Sequence, residues 1–332
     1  MITYDGYDKA RVKTRDKKPT RPRTKIRPKY ENAKDYIVIG IDRGRYKLVS
    51  FYNNTPAIIA VKAKQLPRKS IVIGDKVAAT GDLSGKKDTL ARIVKIHERT
   101  NQLMRSSDEK NREKVIVANA STMVIVVALS NPEPKIGMID RCLVAAYNAN
   151  MKPILCLTKS DLAPCDELID FYKPLGIEIY VTSKHDNNVN GIDCIQKRLA
   201  KEISVFIGHS GVGKSTLINA LIPDANRDTG CVNSVTGKGR HTSTSTVAFA
   251  MPNGGWVIDT PGVRAFGLAH LSVKNVIGAF DDLSEMIENC PKGCKHTVNE
   301  DSCFLNNNEI VLDEKIQKRI ASLRRILSTK DS

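Results

Sequence analysis

The residues with the clearest chemical signature form a glycine-rich turn at 208–216, whose letters fit the pattern G-x-x-x-x-G-K-[ST]. Backbone N–H groups of such a turn converge on an anion, and the following helix adds its positive dipole end. Lys214 would then reach the β and γ phosphates of a nucleotide, and the Ser215 hydroxyl would ligate Mg²⁺. A strand pattern before the turn and a helix start after it favour this interpretation over an ordinary glycine-rich turn. The predicted phosphate-binding residues are Gly208, His209, Ser210, Gly211, Val212, Gly213, Lys214, Ser215 and Thr216.

A second polar turn, Thr158-Lys159-Ser160-Asp161, directly follows an apolar strand pattern. Ligands of an α/β sheet bind at the carboxyl ends of its strands. The Asp161 carboxylate could accept hydrogen bonds from N1–H and the 2-amino group of guanine, a donor pair that adenine lacks, while the stem of Lys159 covers the base. A surface turn is the alternative. The predicted base-binding residues are Thr158, Lys159, Ser160 and Asp161, together with Thr182 and Ser183 after the next predicted strand.

Two segments after the glycine-rich turn would complete a nucleotide site. The hydroxyl-rich stretch 237–244 could close on Mg²⁺ and the γ-phosphate, with Thr242 as the metal ligand and Thr244 as the alternative. Asp259 ends a strand pattern and would hold the metal, and the N–H of Gly262 would lie near the γ-phosphate. Each segment could instead be only a loop. The predicted magnesium ligands are Ser215, Thr242 and Asp259.

The group that orients the attacking water is not the usual one. Small GTPases use a glutamine directly after the D-x-x-G segment, and this chain has Val263 there. We therefore expect slow intrinsic hydrolysis, with His241 as the candidate catalytic residue. The alternative is that His241 contacts only phosphate or RNA.

A cysteine–histidine cluster near the C-terminus predicts a metal site. Cys290, Cys294, His296 and Cys303 give the spacing C-x3-C-x-H-x6-C, and three thiolates with one imidazole close a tetrahedral, structural zinc site. Buried free thiols are the alternative. The remaining cysteines are predicted to be core or surface thiols: Cys142, Cys156, Cys165, Cys194 and Cys231.

The elements that must position these residues form several parts. Five short β patterns at 35–98 predict a small barrel, either of the oligonucleotide-binding (OB-fold) type or of the SH3 type. The charged stretch 99–114 predicts a linker. At 115–272, beginning with the apolar run 115–118, strands alternate with helices, which predicts a doubly wound, mainly parallel α/β sheet. Residues 273–332 predict a mostly helical zinc-binding domain.

Charge points to a polyanionic partner. The 332 residues carry a formal net charge of +16, and the first thirty contain eleven Lys and Arg against three Asp. Residues 1–34 are therefore predicted to be a disordered basic arm that lies along RNA phosphates or, alternatively, only aids solubility. The last predicted helix, 308–327, has a basic face that could dock RNA or only be solvated: Lys315, Lys318, Arg319, Arg324 and Arg325. No apolar run is long enough for a membrane helix, so we expect a cytoplasmic monomer without a membrane partner.

The order of the motifs along the chain is unusual and resembles that of a known group of GTPases. The base-binding turn precedes the glycine-rich loop and the Asp259-Thr260-Pro261-Gly262 segment, which is similar to the circularly permuted GTPases. The whole set, with the barrel pattern, Gly239-Arg240-His241-Thr242 and the cysteine cluster, resembles the family of the bacterial ribosome small-subunit-dependent GTPase A. This resemblance implies an OB-fold barrel, a catalytic role for His241, and a GTPase that acts in late maturation of the small ribosomal subunit and is stimulated by it.

Two other functions compete with this one. A non-catalytic guanine-nucleotide sensor that binds rRNA would explain the missing glutamine. A general ATPase is the third hypothesis, and Asp161 argues against it because adenine offers the carboxylate no donor pair.

Overall fold

The structure is a computed structural model that describes residues 30, 32–50, 56–66, 71–106, 113–183, 189–225, 246–260, 271–307 and 313–328. Nearly all of the predicted basic arm lies outside the described residues. So do His241, Thr242, Thr244 and Gly262, as well as Cys231. In the described part of the chain, no helix is both long and apolar enough to cross a membrane.

The N-terminal part is a closed five-stranded barrel, as predicted. Its strands are β1 (Lys34–Asp42), β2 (Arg45–Ser50), β3 (Ile58–Lys62), β4 (Lys76–Gly81) and β5 (Ala91–Ile96), in the order β1-β2-β3-β5-β4. β3 and β5 run parallel and the other neighbours run antiparallel. Alternate side chains such as Val38, Leu48, Ile58 and Ile93 fill the interior. This is the topology of an OB-fold barrel.

The segment predicted to be a linker contains a strand, which corrects that prediction. β6 (Gln102–Ser106) pairs antiparallel with β7 (Glu113–Ala118), and neither belongs to the large sheet. The apolar run 115–118 is therefore not the parallel strand that was expected. Its burial comes instead from contact with the barrel side, since the Ala118 N–H donates to the Ile73 carbonyl at 3.0 Å. Leu103 and Val117 share one core cluster with Ile37 and Ile39 of the barrel.

A tight joint connects the barrel to the rest of the molecule. Asp75 is buried, and Arg99 donates two hydrogen bonds to its carboxylate, from Nε at 2.7 Å and Nη2 at 2.9 Å. The Asn119 side chain donates to the Gly74 carbonyl at 2.9 Å. A Cβ at Gly74 would overlap the Ala118 carbonyl oxygen, so the close approach of these two backbones requires glycine there.

The α/β part is built on a six-stranded sheet in the order β10-β9-β8-β11-β13-β12. All neighbours run parallel except β12 and β13. The strands are β8 (Thr122–Ala128), β9 (Lys152–Thr158), β10 (Glu178–Thr182), β11 (Ile203–Ile207), β12 (Val247–Ala250) and β13 (Trp256–Asp259). The helices are α1 (Ile136–Asn148), α2 (Asp166–Tyr172), α3 (Val189–Arg198) and α4 (Lys214–Leu221). The two faces of the sheet carry separate cores, one with residues of α1 and α2 and the other with residues of α3 and α4. The prediction of a doubly wound sheet is confirmed.

The C-terminal part is mostly helical, as predicted, with α5 (Val273–Ile277), α6 (Ser284–Glu288) and α7 (Glu314–Ser328). Three of the five residues predicted as a basic face on α7 bind other elements of the protein, which corrects that prediction. Arg319 and Arg325 form ion pairs with the buried carboxylate of Asp140 on α1, and Arg319 also pairs with Asp282 at 2.9 Å. Arg324 donates to backbone carbonyls of the cysteine–histidine segment. The periodicity identified residues on a shared face but not what packs against that face.

Candidate functional site

The predicted nucleotide-binding residues converge at one edge of the large sheet. β9, β10, β11 and β13 end at Thr158, Thr182, Ile207 and Asp259, and each is followed by one of the predicted segments. Thr182 lies opposite Thr158 in the sheet, and Asp259 lies opposite Phe206, one residue before the end of β11. The described residues of the four segments therefore meet at the carboxyl edge, where parallel sheets bind ligands.

The glycine-rich turn has the local geometry of an anion-binding loop. It joins β11 to α4, which begins at Lys214 with Gly213 in the left-handed conformation, φ 89°. A Cβ at Gly208 would lie 2.6 Å from the Val126 carbonyl oxygen of β8, so only glycine fits where the loop leaves the sheet. The N-terminus of α4 is thus directed at the carboxyl edge, where its N–H groups could bind phosphate oxygens.

A hydroxyl group joins the glycine-rich turn to the base-binding turn. Thr158 Oγ1 donates to the Val212 carbonyl at 2.5 Å and lies 3.3 Å from the Val127 carbonyl. Thr158 is buried, and the ideal Cβ position of Gly213 is 3.5 Å from its hydroxyl. The two turns are therefore held at a fixed separation, as a site for one ligand that spans both would require.

Two charged side chains meet beneath the glycine-rich turn. Lys214 Nζ lies 2.7 Å from Asp259 Oδ1 and also donates to the Thr260 carbonyl. Both side chains are buried, and the Thr260 hydroxyl donates to the Phe206 carbonyl at 2.8 Å. A buried carboxylate is tolerated when it is paired, so Lys214 compensates Asp259 in this arrangement.

Hydrogen bonds to neighbouring segments hold the predicted base-binding turn in place. Ser183 Oγ donates to Asp161 Oδ1 at 2.8 Å, and the Ser160 N–H donates to the Thr182 carbonyl at 3.3 Å. Lys159 has the left-handed φ of 61°, and its Nζ donates to the backbone carbonyl of Asn131 after β8. Burial lowers the pKa of Lys159, while the nearby Asp161 carboxylate acts in the opposite direction. Asn131 was not predicted, because a backbone carbonyl contact leaves no signal in residue type.

The cysteine–histidine cluster assembles as predicted. The ligand atoms of Cys290, Cys294, His296 and Cys303 all lie within 4.8 Å of one another. Cys290 Sγ is 4.0 Å from Cys303 Sγ, and His296 Nδ1 is 3.4 Å from Cys294 Sγ and 3.9 Å from Cys303 Sγ. With bonds of about 2.3 Å to sulfur and about 2.0 Å to nitrogen, the edges of a tetrahedral site are about 3.5 to 3.8 Å. The cluster could therefore hold a metal ion with little movement, and His296 would bind through Nδ1.

Without bound metal, burial favours the neutral, protonated form of the cluster thiols. Burial raises the pKa of the Cys294 thiol to about 12 and also raises the pKa of Cys290. Burial lowers the pKa of His296. The His296 N–H lies 3.4 Å from Cys294 Sγ, and Glu300 accepts from the Lys295 N–H at 2.7 Å. Bound metal would replace the thiol protons.

This chain resembles known proteins in both sequence and fold. Residues 96–269 match the family model described as RsgA GTPase. The chain belongs to the RsgA GTPase family. It is 37% identical over 268 residues to the "Small ribosomal subunit biogenesis GTPase RsgA" of Ectopseudomonas mendocina (strain ymp), covering 78% of this chain and 75% of that protein. The RsgA protein of Pseudomonas aeruginosa (strain LESB58) is also 37% identical, with 78% of this chain and 76% of that protein covered.

Solved structures share the fold of this RsgA family member. YloQ, described as a circularly permuted GTPase, matches with a TM-score of 0.66 and 22% identity over 91% of this chain and 96% of that chain. YjeQ from Thermotoga maritima matches with a TM-score of 0.67 and 24% identity over 90% of this chain and 99% of that chain. The permuted GTPase fold, with its N-terminal barrel, is therefore confirmed.

Proposed function

We propose that this RsgA family member is a GTP hydrolase that acts in maturation of the small ribosomal subunit and is stimulated by that subunit. The observation that carries the proposal is the meeting of the base-binding turn and the glycine-rich turn at one sheet edge, joined by Thr158. The relatives that match most of the chain are named for small-subunit biogenesis, which supports the same particle as the partner here.

Guanine recognition would depend on Asp161. The Ser183 hydroxyl donates to one oxygen of the carboxylate. In the complex, the carboxylate would accept from the N1–H and the 2-amino group of guanine. Lys159, held by the Asn131 carbonyl, would lay its methylene groups over the base. Adenine would leave the carboxylate without donors, and that loss opposes the ATPase hypothesis.

The phosphates would lie over the N-terminus of α4. Their oxygens would accept from the N–H groups of 208–216, and Lys214 would turn from Asp259 toward the β and γ phosphates. Bound Mg²⁺ would neutralise part of the phosphate charge. The Ser215 hydroxyl and the buried Asp259 carboxylate offer the oxygen ligands that this ion prefers, with Thr242 as the third candidate. The Gly262 N–H would contact the γ-phosphate.

His241 would position or activate the attacking water. The chain has Val263 where many GTPases have a glutamine, so the water needs another partner. An imidazole held near the γ-phosphate could accept a proton from water. Because this placement would depend on the bound subunit, hydrolysis would be slow without it. The nucleotide-sensor alternative is not favoured, since the named relatives are GTPases.

The barrel offers a surface for rRNA. On its outer face Arg45 of β2 lies opposite Val61 of β3, which lies opposite Arg92 of β5. The neighbouring row pairs exposed Lys47 with exposed Ile59. Cations interleaved with apolar side chains suit a nucleic-acid backbone and its bases, and this is the face that OB-fold barrels use. The basic arm, 1–34, would add further phosphate contacts.

The remaining assignments complete the proposal. We assign 35–98 to the rRNA-binding barrel, 115–272 to the GTPase domain and 273–332 to a structural zinc domain, with 99–114 belonging to the β6–β7 hairpin rather than to a free linker. Three thiolates and one imidazole fill a tetrahedral site, so the zinc would be structural rather than catalytic. The enzyme would act as a monomer in the cytoplasm, where the particle is assembled.

Replacement of Asp161 by asparagine tests the nucleotide assignment. Asp161→Asn should weaken GTP binding about 10- to 100-fold, because the amide cannot accept from both guanine donors. Xanthosine triphosphate, which presents an acceptor in place of the 2-amino group, should bind better to the variant than to the wild type. Titration with fluorescent nucleotides measures both. Asp170→Asn on the exposed side of α2 is the control, and unchanged GTP affinity in Asp161→Asn would contradict the assignment.

A further inference from the structure

Arg324 of α7 forms hydrogen bonds with the segment that carries the proposed metal ligands. Its Nε donates to the carbonyl of the ligand His296 at 3.2 Å, and its Nη2 donates to the Leu305 carbonyl at 3.4 Å and to Asn306 Oδ1. One planar guanidinium thus holds both ends of the segment 296–306. A lysine at this position has no forked donor group and could not make the same set of bonds.

Asn306 holds the middle of the same segment. Its Nδ2 lies within hydrogen-bonding distance of three carbonyls of the turn, those of Thr297 at 3.1 Å, Val298 at 3.2 Å and Glu300 at 2.8 Å. Because its Oδ1 accepts from Arg324, the two side chains form one unit. These hydrogen bonds therefore restrict the backbone of the turn between the ligands His296 and Cys303.

The backbone that this unit holds is an unfavourable one. His296 has φ 55°, a left-handed conformation that is unfavourable for a non-glycine residue. That conformation directs Nδ1 toward the sulfur atoms of Cys294 and Cys303. The bond from Arg324 to the His296 carbonyl fixes the adjoining peptide plane, so the ring is directed before any metal arrives.

We propose that Arg324 and Asn306 are positioning residues of the metal site, which hold the turn from His296 to Cys303 in the geometry that the metal needs. The inference rests on the proposed zinc site. It assigns to α7 a role that differs from the RNA contact its basic sequence suggested. Partners behind the ligands of zinc sites typically change metal affinity about 10- to 100-fold when they are removed.

Metal affinity measured on the full chain tests the proposal. Zinc-loaded wild type, Arg324→Ala, Arg324→Lys and the control Lys318→Ala compete with a chromogenic chelator. We expect about 10- to 100-fold weaker zinc binding for Arg324→Ala, an intermediate loss for Arg324→Lys, and no change for Lys318→Ala, whose exposed ammonium pairs only with Glu314 among the contacts of the described residues. The lysine variant separates the forked geometry from the charge.

Cobalt spectra provide a readout that general destabilisation would not move. Co²⁺ in the wild type should give the intense visible absorption of a tetrahedral thiolate site, and Arg324→Ala and Asn306→Ala should both weaken or shift it. Since the two residues act as one unit, the double variant should lose little more affinity than either single variant. Should a single variant fold poorly, the spectrum of Arg324→Lys still reports the ligand geometry.

The outcomes separate this proposal from the zinc assignment. If wild type binds no zinc, the metal site itself is wrong. If wild type binds zinc and Arg324→Ala and Asn306→Ala bind it equally well, the positioning role is overturned. Weaker rRNA binding by Arg324→Ala with zinc affinity unchanged would overturn it in favour of a direct RNA contact.

Discussion

GTP hydrolysis is expected to depend on His241, which would position or activate the attacking water. We predict that His241→Ala lowers subunit-stimulated GTP hydrolysis by about 100-fold or more, the usual contribution of a positioned acid–base group. GTP affinity should stay close to that of the wild type, since phosphate and base contacts remain. Single-turnover hydrolysis and nucleotide titration separate the two effects. Full stimulated turnover by His241→Ala would exclude the catalytic role.

The metal ligands predict a pH dependence with a definite sign. Burial raises the pKa of Cys294 to about 12 and raises that of Cys290, so these thiols keep their protons near neutral pH until metal displaces them. Burial lowers the pKa of His296, which would therefore bind metal as the neutral ring. Zinc affinity should consequently rise with pH, about tenfold per unit for each thiol proton released. Chelator competition at two pH values one unit apart measures it, and an affinity independent of pH would exclude thiolate ligands.

Single residues were predictable where their type is tied to a chemical task. The positions of Asp161, Lys214 and Asp259 at one sheet edge, and the clustering of the three cysteines with His296, could be expected from the sequence, because a carboxylate, an ammonium or a thiol at a strand end or at a fixed spacing has few other uses. Their roles stay predictions. Asn131 could not be expected, since it acts through its backbone carbonyl. Arg324 and Asn306 could not either, because their partners are carbonyls that only the fold brings near.

At the scale of elements, the joint between barrel and hairpin is the feature most sensitive to a small change. Gly74 has φ +86°, and a Cβ there would overlap the Ala118 carbonyl. Gly44, in the turn from β1 to β2, has the similar φ of +80° with nothing within 4 Å of a Cβ. Alanine substitutions at these two glycines therefore separate the energetic cost of the left-handed backbone from that of the close contact with the Ala118 carbonyl.

We predict that Gly74→Ala destabilises the protein by about 2 to 5 kcal/mol, the sum of left-handed strain and overpacking. Gly44→Ala should cost only the strain, about 1 to 2 kcal/mol. Denaturant unfolding followed by circular dichroism measures both free energies of unfolding. Equal losses for the two variants would mean that the backbones at the joint move apart easily and that the barrel is not rigidly held.

Most elements were predictable because their patterns agree with their surroundings. The central strands β8, β9 and β11 of the large sheet are covered on both faces and read as continuous apolar runs. In the barrel, β3 and β5 alternate between buried and more exposed residues. β6 was missed because its few apolar residues, such as Leu103, stand among charged ones that predict a loop. β7 was assigned to the wrong sheet, since an apolar run shows burial but not the partner that causes it.

For the whole molecule, α7 is the element that connects parts far apart in sequence. Its Arg325 and Arg319 pair with Asp140 of α1 on the sheet, and its Arg324 holds the metal segment. Asp140 is buried and also accepts from Tyr172 of α2 at 3.1 Å. Removing one partner of such a network leaves a buried charge uncompensated. Side chains of α7 therefore contact both α1, which packs on the GTPase sheet, and the segment with the cysteine–histidine cluster.

This protein is proposed to hydrolyse GTP in response to the small ribosomal subunit. Phosphate release measured with and without purified small subunits tests it most directly, with large subunits as the control particle. We predict a slow rate alone and a rise of about tenfold or more with small subunits only, as an added partner does for other GTPases. GTP binding without any stimulation by small subunits would contradict the claim and support the nucleotide sensor instead.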